Sequence, residues 1–203
     1  MKSKRIASVA VVFCLLASFL PSSWALTVLQ LNLEQITALS QKVFVGKCIS
    51  IQNRQDKSGR PAQYVTFEVE DMIKGDPEKK ITFKQMGYDS ERMEDGTVVQ
   101  GVLREMPRYR EGEEAIVFLS EEGRLGFTAP VGLRQGKFVV EETSPGKKMV
   151  KNGTGNVGLL LGMKKSQVLK SLTLTTGEKG LLKMNSEDLP YDTFVSLVKK
   201  MAQ

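Results

Sequence analysis

Histidine is absent from all 203 residues of the chain. That excludes a Ser-His-Asp or Cys-His catalytic group, a histidine general base and any zinc site that needs imidazole. Cysteine occurs twice, at Cys14 and Cys48. Two thiols exclude a disulfide scaffold and a four-cysteine metal site. Beyond the first residues, no apolar run approaches the roughly 20 residues of a membrane span. What is present is ordinary: 41% hydrophobic and 26% charged residues, enough for one domain with a substantial core.

The start of the chain carries an export pattern. Lys2, Lys4 and Arg5 form a basic beginning, and Ile6 to Leu20 is an apolar stretch short of a membrane span. Pro21 breaks it, and Ser23-Trp24-Ala25 places small residues at −3 and −1 of a cleavage site. Residues 1–25 therefore read as a signal peptide, with an uncleaved anchor as the alternative. Cys14 follows Phe13 inside the apolar stretch, which does not suit a lipoprotein cysteine. The expected mature chain starts at Leu26, keeps Cys48 alone and cannot form an internal disulfide. An exported location follows, periplasmic or secreted, with no membrane span in the mature chain.

The period then alternates between helix and strand. Asn32 and Gln35 have capping-box spacing ahead of Leu33, Ile36 and Leu39. Lys42 to Gln52 alternates, with Val43, Val45, Ile49 and Ile51 expected on one face and Phe44, Gly46, Cys48 and Ser50 on the other. Gly46 marks a place where the strand can bend. Tyr64 to Glu70 turns Val65, Phe67 and Val69 inward, opposite Ile116 and Phe118 or their neighbours. Further strands are expected at Lys80–Met86, Glu114–Leu119, Leu125–Ala129 and Gly136–Glu141. Gly87 to Arg110 reads as a long connection, a length often tied to function or mobility. Ser144 to Lys148 reads as a linker or exposed turn. Helices are expected around Lys165 to Leu172 and after Pro190. The resulting division is a signal peptide at 1–25, a β-barrel domain at 26–142 and a C-terminal appendage at 143–203 with one or two helices.

Charge divides near the same point. Residues 26–144 carry 16 Lys plus Arg against 19 Asp plus Glu, whereas residues 145–203 carry 10 Lys against 4 acids. The plain account is a solvated surface. The sharper one is a basic face for an anionic partner, such as a phospholipid surface or cell-wall polymer.

The element order suggests a mainly β fold: a five- to six-stranded antiparallel OB-like Greek-key barrel. Three strings carry a resemblance: Val43-Phe44-Val45-Gly46-Lys47-Cys48, Thr66 to Gly75, and Gly112-Glu113-Glu114-Ala115-Ile116-Val117-Phe118-Leu119. Together they resemble exported bacterial proteins of uncharacterised function. More distantly they are similar to the netrin-like module of the tissue inhibitors of metalloproteinases. The resemblance spans roughly residues 36–141 and implies a barrel and a protein-binding module. Those inhibitors rely on disulfides and a mature N-terminal cysteine that chelates the protease zinc. Neither exists at the matching positions, so that inhibitory chemistry carries over to no residue of this chain.

Several residues invite a chemical reading. Cys48, in an apolar strand without histidine, reads as a buried structural thiol rather than a nucleophile. Glu68 and Glu70 share a strand face near Asp71 and form either a carboxylate pair or a solvated surface. Asp89, Glu91, Glu94 and Asp95 near Gly96 lack calcium-loop spacing. Arg104, Arg108 and Arg110 with Tyr109 form the most suggestive cluster. Arginine contacts carboxylates or phosphates at two points, and tyrosine anchors interfaces; Tyr109 is accordingly expected at a rim. Nucleic acid is disfavoured, because Tyr64 is the one clear outward aromatic of the meander and the barrel portion is acidic. Asn152-Gly153-Thr154 fits a glycosylation sequon.

The reading that results is an exported, non-enzymatic binding module without cofactor or metal. Its expected partner is another exported or envelope protein. The alternative is a carboxylate- and arginine-dependent hydrolase of the cell envelope. A module would spread its polar cluster over a convex face or rim; an enzyme would gather it in a concave pocket.

Overall fold

The computed structural model describes residues 29–87, 105–184 and 188–203, with the backbone of 91–92 and 98–99. The fold is mainly β. A seven-stranded antiparallel sheet is built from β1 (Lys42–Gln55), β2 (Pro61–Lys74), β3 (Lys80–Met86), β6 (Glu114–Leu119), β7 (Lys137–Ser144), β8 (Lys147–Asn152) and β9 (Leu189–Pro190). Its order is β3-β2-β1-β6-β7-β8-β9, and the two edge strands do not pair. The two-residue strands β4 (Glu91–Arg92) and β5 (Val98–Val99) pair separately. Among the described residues there are four short α-helices: α1 (Leu33–Leu39), α2 (Gln167–Ser171), α3 (Thr176–Leu181) and α4 (Tyr191–Met201). Among the described residues no helix is long and apolar enough to cross a membrane. The signal-peptide pattern at 1–25 lies outside them.

Strands β1 and β6 are central, and their alternating residues enter two different cores. Val43, Val45, Ile116 and Phe118 face α1, α4, β7 and β8. Phe44, Cys48, Ala115, Val117 and Leu119 face β2, β3 and Tyr109. Burial on both sides explains why these segments read as continuous apolar runs. Val65 and Phe67 are buried and Val69 partly so, opposite the neighbours of Ile116 and Phe118 rather than those residues themselves.

One face assignment is corrected. Cys48 pairs with Phe67 and Ser50 with Thr66, leaving Ile49 as an extra residue. This bulge resets the alternation. Ile49 turns to solvent and Ile51 joins the face of Phe44 and Cys48. Gly46 sits beside a second register shift, where a Cβ would lie 2.4 Å from the Glu68 carbonyl oxygen. The close approach of β2 requires glycine there.

The expected helix after Asn32 forms as α1, with the Asn32–Gln35 capping box closed in both directions. The Lys74 ammonium donates to the carbonyls of Thr37 and Ala38, satisfying the helix end. Residues 125–129 do not form the expected strand. They make a turn and one bridge, Lys84 to Phe127 in parallel sense, and the next residue, Pro130, bridges Leu119 in antiparallel sense. Of the two readings of Ser144–Lys148, linker or exposed turn, the turn is the one that forms: Pro145-Gly146 is the tight turn of the β7–β8 hairpin. Beyond β8 the chain is pinned by Asn152, whose Oδ1 accepts from the backbone of Thr154 and Asn156 and from the Thr154 hydroxyl. The C-terminal helices pack onto the sheet, with Phe194, Leu197 and Val198 fully buried in the β1/β6 core.

Candidate functional site

Residues 105–113 lead into β6 without regular secondary structure, turning at 105–106 and 111–112, and their burial alternates over 107–110. Met106, Pro107 and Tyr109 are buried, whereas Arg108 and Arg110 are exposed. Backbone bonds between Gly112 and Cys48 and between Cys48 and Glu113 fasten the segment to β1. Gly112 has φ +83, a left-handed turn that a side chain would strain.

Tyr109 is not at a rim. Its ring meets Phe67 and Phe83 edge-on, with centroids 5.8 and 5.7 Å apart. The tyrosine is thus part of the strand core, because its neighbours are aromatic and the alternation turns it inward. Its hydroxyl finds no hydrogen-bond partner among the described residues. Burial pushes its pKa well above the ordinary value. Tyr109 plugs the core, and its two flanking arginines are consequently directed outward.

Lys137, the first residue of β7, lies beneath this segment. Its ammonium pairs with Glu113, donates to the Arg108 carbonyl and stands 4.7 Å from the centre of the Tyr109 ring. Burial pulls the Lys137 pKa below its ordinary value, opposed by the Glu113 carboxylate. Nearby burial raises the Cys48 thiol to about 11. A thiol held protonated and fully buried is no nucleophile.

Above Lys137 opens a cleft of about 470 Å³, lined among others by Arg108, Arg110, Glu113, Arg134, Lys137 and Glu141. Arg134 comes from the 3-10 turn before β7. It donates to the Gly153 carbonyl and lies 3.9 Å from Glu105. Four cationic side chains thus meet two lining carboxylates, Glu141 and the Lys137-paired Glu113, with Glu105 beside Arg134. The chemistry available is recognition of an anionic group by guanidinium.

Of the residues singled out from the sequence, Arg108 and Arg110 line this cleft, Tyr109 supports it from beneath, and Arg104 lies outside the described residues. Arg134, Lys137 and Glu141 carried no local signal: they are 24 or more positions from Arg110 and arrive through the β6–β7 pairing. The other acidic readings lead elsewhere. Glu68 faces Lys47 and Lys80 across neighbouring strands, and Asp71 pairs with Lys199 at 2.7 Å. Asp89, Glu94 and Asp95 lie outside the described residues, and Glu91 is described by its backbone alone. Among the described residues no three His, Cys, Asp or Glu side chains converge to hold a metal. Tyr64 is covered by the Arg54 guanidinium, 4.0 Å from the ring centre. No protein-family model matches the chain, and a search of curated proteins finds no match either.

Proposed function

We propose that the protein is an exported, non-enzymatic binding module that captures an acidic segment of another exported or envelope protein. The observation that carries this reading is the arginine-lined cleft above the Lys137–Glu113 pair. Paired guanidinium groups recognise carboxylates at two points, and a buried floor keeps water from screening the contact. The export assignment rests on the leader pattern, and the netrin-like kinship rests on the three strand motifs. An OB-like barrel belongs to the same proposal. It is supported by segment 127–131, which contacts β3 through Thr128 N–H to the Lys84 carbonyl and β6 through Val131 N–H to the Phe118 carbonyl.

The hydrolase reading has the concave setting in its favour. The cleft nevertheless supplies poor acid–base chemistry: Glu113 is held by Lys137, and Glu141 is exposed. General acid–base work needs a carboxylate free to exchange its proton near the operating pH.

Affinity capture from the protein's own envelope extract tests the reading. A variant with Arg108, Arg110 and Arg134 all replaced by Ala should keep its thermal transition and lose about tenfold or more in capture, since anchoring arginines each carry on the order of 1–2 kcal/mol. Capture should also weaken with salt. A folded triple variant that captures the same partner at full strength places the interface elsewhere. Turnover of an envelope substrate abolished by Glu141→Gln would favour the hydrolase.

A further inference from the structure

The opposite character is found at the C-terminal layer. The loop 156–162 sends Leu159 into the core, as does Met163 just after it, both at 1% exposure or less, while Leu161 between them stands 75% exposed and Val157 64%. This is not a loose loop. Leu33 N–H donates to the Leu159 carbonyl and the Asn32 amide donates to the Leu161 carbonyl. Left-handed Gly158 and Gly162 (φ +69 and +76) bracket the tip. The backbone holds an apolar side chain outward and cannot let it collapse inward without giving up those bonds.

Beside the tip runs a shallow groove floored by Leu159, Leu160, Leu182 and Met184 and edged by Lys164, Lys165 and Lys183, with no acidic side chain lining it among the described residues. On α2, which follows the lysine edge in sequence, Val168 is 44% exposed and Lys170 is exposed. A rigid apolar tip edged by Lys164, Lys165 and Lys183 matches one kind of partner. Apolar side chains enter the acyl boundary of a bilayer while lysines extend to anionic headgroups. An acidic protein groove would satisfy the lysines and leave Leu161 without reason to be held out.

We propose that the Val157–Leu161 tip and its Lys164, Lys165 and Lys183 edge form a docking surface for an anionic lipid bilayer. At its Val157 end this surface adjoins the arginine cleft, since Val157 lines one cavity with Glu105 and Arg134.

The test uses the full chain in a Cys14→Ser background. Cys48 is fully buried, so a polarity-sensitive fluorophore can be attached at Leu161→Cys alone. A second protein carries the label at Lys57→Cys in the exposed β1–β2 turn. Vesicles containing phosphatidylglycerol should shift the 161 label to the blue and leave the 57 label unchanged. Vesicles of phosphatidylcholine alone should do neither. Lys164→Gln with Lys165→Gln should raise the lipid concentration for half response about 25-fold, since each lysine near an anionic surface is worth about fivefold. Three outcomes overturn the proposal: a 161 label silent to anionic vesicles, an equal response to neutral ones, or a label already shifted without lipid, which means the chain covers its own tip. Lysine-dependent capture of an anionic wall polymer without a response at 161 overturns it as well.

Discussion

The two faces of the central strands are filled in different ways. One face is closed by strands that follow each other in sequence. Phe44, Phe67, Phe83 and Tyr109 meet there in an aromatic cluster with centroids 5.5–6.3 Å apart. The other is closed by elements gathered from both ends of the described chain, and Phe118, Phe138 and Phe194 form its aromatic line. The first face is a local construction and the second a long-range one. The difference teaches that β1 and β6 act as a partition: neighbouring residues, such as Val43 and Phe44, report on separate cores.

The strongest way to break this picture is to empty each side in turn. Phe67→Ala should cost about 3–5 kcal/mol, the range for a buried aromatic whose neighbours cannot collapse. Phe194→Ala should cost less, about 3 kcal/mol, because α4 can shift toward the gap. Chemical denaturation gives both values, and amide exchange gives the location. Phe194→Ala should open α4 and β8 while β2 and β3 keep their protection. Equal loss of protection on both sides would show that the partition does not separate the cores.

Gly46→Ala tests the seam itself. Its Cβ would meet the Glu68 carbonyl at 2.4 Å, and backbone must move. A loss of about 2 kcal/mol is expected, as for other overpacked sites. A variant as stable as the parent would mean β2 stands further off than described.

The helical side also carries a buried charge. Glu178 is 1% exposed. Burial would raise its pKa, but hydrogen bonds from Lys200, the Thr175 N–H and Ser196 prevail and hold it down to about 2, from an ordinary 4.5. A depressed carboxylate stabilises the fold above its unfolded value and loses that contribution as pH falls through the folded one. The thermal midpoint should therefore drop between about pH 4.5 and 2. Glu178→Gln should remove about 2 kcal/mol at pH 7 by weakening a charge-assisted network and should flatten this acid limb. A parallel acid limb in the variant assigns the pH dependence to other groups.

The smallest effect belongs to Tyr109. Removing its buried hydroxyl, unpartnered among the described residues, in Tyr109→Phe should leave stability unchanged or raise it by about 1 kcal/mol. A clear loss would reveal a partner for that hydroxyl.

These two faces also differ in how far the sequence exposes them. Period-two alternation in β2 is local, so Val65 and Phe67 are readable directly, as are the strand bounds at 80–86 and 114–119; which face each residue of the continuous apolar run in β6 takes is not. The capping box of α1 is likewise a three-residue signal. The bulge at Ile49 is not, because it depends on which β2 residue pairs with Cys48. Strand β8 hides because Lys147 to Asn152 is short and lysine-rich, and only its hairpin with β7 makes it a strand. At the cleft, the pair Arg108 and Arg110 stands out as charge around an aromatic. Which way Tyr109 points depends on aromatic neighbours 26 and 42 residues upstream. Lys137 and Arg134 are placed by sheet register alone.

The Asn152 knot has a consequence for making the protein. Asn152 is 5% exposed, its Oδ1 accepts from the backbone N–H groups of Thr154 and Asn156, and its Nδ2 donates to the Gln135 backbone carbonyl. It is also the acceptor position of the sequon Asn152-Gly153-Thr154. A sugar can be attached only to the amide nitrogen that the folded chain has committed to Gln135. In a eukaryotic secretory host, where glycans are added to the emerging chain, glycosylation and closure of this corner would compete. The occupied fraction should fail to mature, and Asn152→Asp would not rescue it, because a carboxylate cannot donate to the Gln135 carbonyl.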